Sequence, residues 1–455
     1  MAIKPVNVNL TATSVEILNA IRANASAAYQ AQVPAAQPTT ASIREIGQIV
    51  TGYVALQNEF LSALYNRIAR VIVTSRTYYN PWAMFKRGFI EMGETVEEVF
   101  VNIAKPFQYD PAVAEKEWMK REIPDVRSAF HTMNFQKFYK VTISDEQLRQ
   151  AFLSWEGVTD LIERIVDSLY TGVNYDEFQV MKYMLARNIL NGYIKPVTIS
   201  AASAENAKSI ISTVKAVSNK MTFMSGDYNI SHVKTNSEHR DQYFIVGADF
   251  DAIMDVEVLA AAFNMTKAEF IGNRVLIDGF GQIDNDRLAI LFADDPNNSF
   301  TALTPEELAA LNTIPAVILD RNYFMIFDNL QKFTENYNGQ GLYWQYFMHV
   351  WKTFSSSPFA QAALFVPGTP TVTSVTISPK KVTANKGDIV GFSATVVVDN
   401  FALKDVNWSV NSDTSTISNQ GVLSIGANEA KTSLTVTCAS VFDSAKSDTA
   451  TVTVS

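Results

Sequence analysis

The stretch SDEQLRQAFLSWEGVTDLIERIVDSLYTGVNYDEFQVMKYMLARNILNG, residues 144–192, carries the best helical pattern in the chain. Ser144 and Gln147 stand at capping-box spacing, where each side chain satisfies the other residue's orphan amide. Asp145 and Glu146 put negative charge in the first turn, which the helix dipole favours. Leu148, Ala151, Phe152 and Trp155 share one face, and Gly157 is expected to interrupt it. Leu161, Ile162, Ile165, Val166 and Leu169 resume the period. Asn174 and Glu177 restart it before Phe178, Met181, Leu185 and Ile189. Gly192 is the expected stop, because a left-handed residue after a helix suits glycine.

Upstream, Ser42-Ile-Arg-Glu45 also has capping-box spacing. Ile46, Ile49, Tyr53, Phe60, Leu64 and Ile68 follow at near-helical spacing, after a break at Val33-Pro-Ala-Ala-Gln-Pro38. This segment reads as a helical arm with little to bury against within itself. Asn80-Pro81 signals a turn, Met92-Gly-Glu94 a hairpin turn, and Val96 to Ile103 a strand. Asp110 to Arg121 has a helical tendency that Pro124 ends.

Downstream, Tyr243-Phe-Ile-Val-Gly247, Val275-Leu-Ile277, Leu288 to Phe292, Ala316 to Leu319 and Asn322 to Phe327 read as strands. Ala252 to Phe263 reads as a helix, and Leu342 to Phe354 is dense in aromatics. Strands interleaved with helices predict an α+β or α/β module, and α+β is the class adopted here. Val366-Pro-Gly-Thr-Pro370 continues neither helix nor central strand, so it marks a domain boundary. Beyond it apolar residues alternate with Thr and Ser, as in Val375 and Ile377 or Leu434, Val436 and Cys438. Short period-2 strands between regular turns predict a β-sandwich. Trp408, Val436 and Cys438 are its expected core.

At roughly 150 residues per domain, 455 residues predict about three domains. Hydrophobic residues are 47% and charged residues 18%, which excludes disorder as the dominant state. Lys plus Arg is 37 against 46 Asp plus Glu, and the net charge of -9 argues against a generally basic nucleic-acid binder. One cysteine, Cys438, rules out an internal disulfide and a thiolate metal cluster. No run of 18 apolar residues occurs, and Met1 to Leu18 lacks the apolar core of a secretory signal. The chain is therefore expected to begin its life in the cytoplasm.

No catalytic signature is present: there is no GxSxG elbow, phosphate loop or HExxH. Gly339-Gln-Gly341 reads as a loop. His232 and His239 beside Glu238 do not share the i, i+4 helical face of a metal site and read as loop residues. Asp249, Asp251 and Asp255 fail the calcium-loop pattern, since Met254 stands where glycine is needed. No enzyme activity, metal or cofactor is expected. Arg67, Arg70, Arg76, Lys86 and Arg87 form a basic window free of acids. It can face phosphates, acidic patches on a neighbouring subunit, or solvent.

Residues 80–366 resemble the major capsid proteins of small phi 29-like podophages. The likeness rests on Thr95-Val-Glu-Glu98, Gln108-Tyr-Asp110, Arg121-Glu-Ile-Pro124, Ala129-Phe-His131 and Ala151-Phe-Leu-Ser-Trp155. It continues through Ala262-Phe-Asn-Met265, Leu276-Ile-Asp-Gly-Phe280 and Tyr323-Phe-Met-Ile-Phe-Asp-Asn-Leu330. Gly341-Leu-Tyr-Trp-Gln-Tyr346 with His349-Val-Trp351 is the most specific part. The tail is similar to the bacterial immunoglobulin-like group 2 domain. Its marks are Val375-Thr-Ile377, Gly387, Val406-Asn-Trp408-Ser409, Gly421-Val-Leu423 and Thr449-Ala-Thr-Val-Thr-Val454.

The resemblance implies the Hong Kong 97 phage capsid fold followed by an all-β immunoglobulin-like sandwich. Residues 1–79 would be the N-terminal arm and 80–125 the E-loop region. Residues 126–199 and 316–366 would form the peripheral domain with its spine helix, and 200–315 the axial domain. Residues 367–370 would be a linker and 371–455 the immunoglobulin-like domain. The implied function is that of a major capsid protein, assembled in the host cytoplasm. It would form hexamers and pentamers in the icosahedral or prolate head shell around double-stranded DNA. One subunit must fit unlike positions, which makes Gly88, Gly93 and Gly192 candidate hinges. The implied partners are other copies, a scaffold protein, the portal protein, head fibres and packaged DNA held without sequence specificity. For 371–455 a host-surface glycan or neighbouring capsomers are the options. A cell-surface adhesin is the alternative function, and the missing signal and wall anchor weigh against it.

Overall fold

The computed structural model describes residues 14–61, 78–91, 95–107, 121, 123–152, 157–254, 273–293 and 300–455. Two compact units result, one from residues 1–94, 132–178 and 326–354, the other from 95–131, 179–325 and 355–455.

In the first unit, helices α1 (Ser14–Asn24), α2 (Ala27–Gln32) and α3 (Thr40–Gly52) lead in. Their apolar residues are buried largely against elements outside the segment. Ile17, Leu18, Ile21, Tyr29, Val33, Ile43, Ile46 and Val50 are buried in one cluster with Leu148, Phe152, Trp344 and Tyr346. The apolar face of α3 is drawn onto partners distant in sequence, which local periodicity does not reveal. A Cβ on Gly47 would lie 2.4 Å from the Phe152 Cβ, so only glycine permits this approach. The cap also differs from expectation. Thr39, not Ser42, is the N-cap of α3, and its hydroxyl accepts from the Ser42 amide at 3.3 Å.

Behind these helices lies a sheet of order β1–β9–β10–β4, with β1 Lys86–Phe89, β4 Phe135–Ser144, β9 Phe324–Asn338 and β10 Tyr343–Ser356. The aromatic-dense run forms β10, and Trp344, Tyr346, Met348 and Val350 point alternately into the core. The Gly339-Gln-Gly341 segment is the turn between β9 and β10. Helix α4 (Asp145–Ala151) begins with the expected capping box: Ser144 Oγ accepts from the Gln147 amide at 3.2 Å and Gln147 Oε1 from the Ser144 amide at 3.1 Å. Helix α5 then runs unbroken from Gly157 to Leu190, about 50 Å at 1.5 Å per residue. Gly157 opens it, Asn174 does not interrupt it, and Gly192 follows it at φ +72°. Trp155 lies outside the described residues.

In the second unit a sheet runs β5–β11–β8–β6–β7, with β5 Lys195–Ile199, β6 Gln242–Gly247, β7 Arg274–Ile277, β8 Ala316–Asp320 and β11 Ala362–Pro367. Central β8 is buried at every position, which explains its unbroken apolar run from Ala316 to Leu319. Helix α6 (Ala207–Met221) packs Ile210, Val214, Val217 and Met221 against Phe244, Ile318 and Phe365. Helix α7 is Ala248–Met254; the rest of the helix expected to Phe263 lies outside the described residues. Leu288 to Phe292 is not a strand. It belongs to helix α8 (Asn285–Phe292), whose N-cap Asp284 accepts from the Arg287 amide at 2.9 Å and whose Leu288 and Leu291 are buried at i, i+3.

The C-terminal segment has its own core. Its strands are β12 Thr371–Ser378, β13 Lys381–Ala384, β14 Ile389–Gly391, β15 Ser393–Asp399, β16 Val406–Val410, β17 Thr416–Ile417, β18 Val422–Ser424, β19 Ser433–Ser440 and β20 Ser447–Val454. Val436 and Cys438 are fully buried there. Trp408 is only partly buried: β16 is the edge of its four-stranded sheet, so the ring packs on the rim beside Phe392 at 6.4 Å. Glu429 is only 3% exposed and accepts from the Ser412, Ser415 and Thr414 hydroxyls and the Lys431 amide. Those hydrogen bonds, Ser412 first, lower its carboxyl to about 2. A depressed carboxylate adds stability above its unfolded value of 4.5 and loses it as pH falls through the folded one. Glu429→Gln is therefore expected to destabilise this segment at neutral pH. The gap to the wild type should close as pH falls to about 2, read by denaturant unfolding across a pH series.

Candidate assembly surface

Strands β2 (Val96–Val101) and β3 (Val126–His131) form a two-stranded antiparallel hairpin in the second unit. Its pairing sets Glu97 opposite Phe130, Val99 opposite Ser128 and Val101 opposite Val126. The period of two separates its faces. One face is anchored. Phe100 stacks on Phe359 with ring centroids 5.6 Å apart, and Glu98 Oε1 accepts from the Ser357 hydroxyl at 2.7 Å. His131 lies buried between Ser355 Oγ at 2.8 Å and Glu98 Oε2 at 3.2 Å, and Arg127 donates to the Ser231 carbonyl.

The opposite face is open to solvent and carries four apolar side chains beside Glu97 and Ser128. Val99, Val101 and Val126 are more than half exposed, and Phe130 is 64% exposed. The flanking strand ends add Ile103, Phe107 at 70% and Ile123 at 82%. Large apolar side chains left exposed along one strand-pair face mark a candidate interaction site. Asp125 pins the open end, accepting from Asn102 Nδ2 at 3.2 Å and pairing with Arg127 at 3.3 Å; Arg127 first, then Asn102, hold its carboxyl below the usual range.

The first unit carries a buried charge network. Glu177 on α5 is 2% exposed. It accepts from Asn80 Nδ2 at 2.6 Å and pairs with Lys86 at 3.2 Å and with Lys352. Asp328 joins Lys86 and Lys352, each at 2.7 Å. Burial opposes the charge on Lys86, but the two carboxylates outweigh it and raise the amine to about 12. Two cations and two anions thus neutralise each other and tie β1, β9 and β10 to α5.

Lys86 is accordingly part of this network, not a free member of a basic patch. Arg87 is exposed, and Arg67, Arg70 and Arg76 lie outside the described residues. Gly88 takes φ +111° where the β1–β9 register shifts, and open space surrounds it. A Cβ on Gly192 would lie 2.9 Å from the Ala402 carbonyl oxygen and the Lys404 amide nitrogen. Gly93 lies outside the described residues. His232 sits in irregular backbone and His239 opens a one-turn 3-10 helix (His239–Asp241), and no three His, Cys, Asp or Glu side chains gather as a metal site among the described residues. The sequence reading passed over the hairpin's open face, although Val99, Val101 and Ile103 alternate within the expected strand. The charge network draws on positions 80 to 352 and leaves no local signal.

The family model of the Phi29-like phage major capsid protein matches residues 18–366. The chain belongs to that family. It is a major capsid protein, a structural component of the tailed-phage virion head. The major capsid protein of Bacillus phage B103 is 37% identical over 424 residues, covering 91% of this chain and 88% of its own. That of Bacillus phage PZA is 34% identical over 423 residues, with the same shares. A match to 91% of the chain does not fit within residues 1–366, so the likeness to B103 reaches into the C-terminal segment. The capsid structure of Staphylococcus phage Andhra has a TM-score of 0.51 at 17% identity, covers 65% of this chain and 86% of its own, and shows a shared phage-capsid fold. No helix among the described residues of this capsid protein is long and apolar enough to cross a membrane.

Glu177→Ala would leave Lys352 buried with half its counter-charge. Removing one partner of a buried pair costs about 3–5 kcal/mol. The outcome expected is a fall of that size in unfolding free energy, measured by urea denaturation.

Proposed function

We propose that this capsid protein assembles as hexamers and pentamers into an icosahedral or prolate shell of the Hong Kong 97 kind, with the open face of the β2–β3 hairpin covered by a neighbouring copy. The apolar face of Val99, Val101, Val126 and Phe130 supports this reading most directly. Burying it on a neighbour gains roughly 25 cal/mol per Å² of apolar surface removed from water. In this assignment 80–125 is the E-loop region and α5 the spine helix. Residues 200–315 form the axial domain, although α1–α3 contribute to the core of their own unit.

The C-terminal segment is read as an immunoglobulin-like sandwich on the outer surface of the shell. Its separate core and alternating strands fit that role. Scaffold and portal proteins, head fibres and packaged double-stranded DNA are the further partners of the shell.

The double variant Val99→Asp/Phe130→Asp tests the central contact. The subunit should keep its far-UV dichroism and its thermal transition, because both side chains face solvent. Closed shells should vanish from electron micrographs of the purified protein, with or without scaffold. Shells at wild-type yield would remove the hairpin from the assembly contact.

A further inference from the structure

One loop seats the C-terminal segment on the end of helix α5. Residues 400–405 connect β15 to β16, and Asn400 and Phe401 turn the chain with φ of 51° and 61°. Ala402 is fully buried, and its carbonyl closes over Gly192. Lys404 Nζ donates to the Leu190 carbonyl at 2.7 Å. That carbonyl belongs to the last turn of α5, where helix geometry leaves acceptors open and the dipole favours a cation. Asn400 Nδ2 donates to the Pro367 carbonyl at 2.9 Å. Next to Lys404, Asp405 Oδ2 lies 3.3 Å from His232 Nε2. His232 holds a left-handed φ of 51°, and its Nδ1 is 3.2 Å from the Gly226 carbonyl.

We propose that loop 400–405 is a catch that fixes the C-terminal segment on helix α5, and that proton binding at the His232–Asp405 contact sets how tightly it holds. Several groups face the imidazole. Asp405 comes from the loop, and the Gly226 carbonyl and the Asp227 carboxylate from the segment before His232. Asp227 is itself 3.6 Å from Lys195 on β5, and Arg127 on β3 engages the adjacent Ser231 carbonyl. The hydrogen bond to Asp405 raises His232 above its ordinary 6.5 against the effect of burial, with the Gly226 carbonyl and the two carboxylates adding to it.

A raised histidine contributes stability that is complete below its unfolded value and lost as pH rises through the folded one. The Lys404 contact to the Leu190 carbonyl does not involve the imidazole, so the catch loosens with rising pH and does not release.

Hydrogen exchange by mass spectrometry on the purified full-length chain tests it, at about pH 5.5 and about pH 8, with rates corrected for intrinsic exchange. Amides around 190–193 and 400–405 should open roughly two- to fivefold more at the higher pH, the range of a half-exposed ion pair. His232→Gln should abolish that difference. Lys404→Met should loosen both segments at both pH values and leave the difference in place. Equal protection of the wild type at the two pH values, or a difference that survives in His232→Gln, overturns the proton-dependent catch. Unchanged protection in Lys404→Met overturns the docking role of the loop.

Discussion

Helix α5 buries polar side chains between Asp176 and Asn188, and a buried polar group is costly unless it is satisfied. Each of these side chains finds a partner on a different element. Asp176 accepts from the Tyr139 hydroxyl at 2.7 Å, and Glu177 collects Asn80, Lys86 and Lys352. Gln179 accepts from the Asp284 amide at 3.2 Å, and Lys182 pairs with Asp278 at 2.7 Å. Asn188 donates to the Tyr323 hydroxyl and the Ser356 hydroxyl at 2.8 and 3.1 Å. An apolar face would tolerate sliding by a turn. Directional partners do not, so within each unit this helix fixes the register of the strands and loops its side chains meet.

The apolar surface is divided differently. Inside each unit it is spent on packing, as in the cluster that joins α1–α3 to β10. On the β2–β3 hairpin it is left outward, while polar and aromatic contacts hold the other face to the body. A strand pair with one anchored face and one open apolar face suits a subunit whose remaining burial comes from its neighbours.

Much of this was legible from residue order. The Ser144 capping box, the helical pattern stopped before Gly192 and the alternating β-segment after Pro370 follow from spacing alone, whereas the restart expected at Asn174 does not occur, since α5 runs through it. Leu288 to Phe292 misled, because a short apolar run has no decisive period and the deciding group was the Asp284 cap. What covers the apolar face of the arm was not legible, because its partners, Phe152 and Trp344 among them, lie far along the chain. Lys86 looked like surface charge for the same reason: its carboxylates are 91 and 242 positions away, at Glu177 and Asp328. Periodicity reports which way a side chain faces within its element, but not what meets it there.

The only thiol of the chain, Cys438, is fully buried opposite Trp408, and burial first, then Asp448, push it up to about 11. In the folded chain it is shielded from solvent and protonated, so a thiol-directed label placed at an added surface cysteine meets little competition from it. Once the C-terminal core opens, the same sulfur becomes reachable. The protein thus carries an intrinsic chemical clock for the opening of that core.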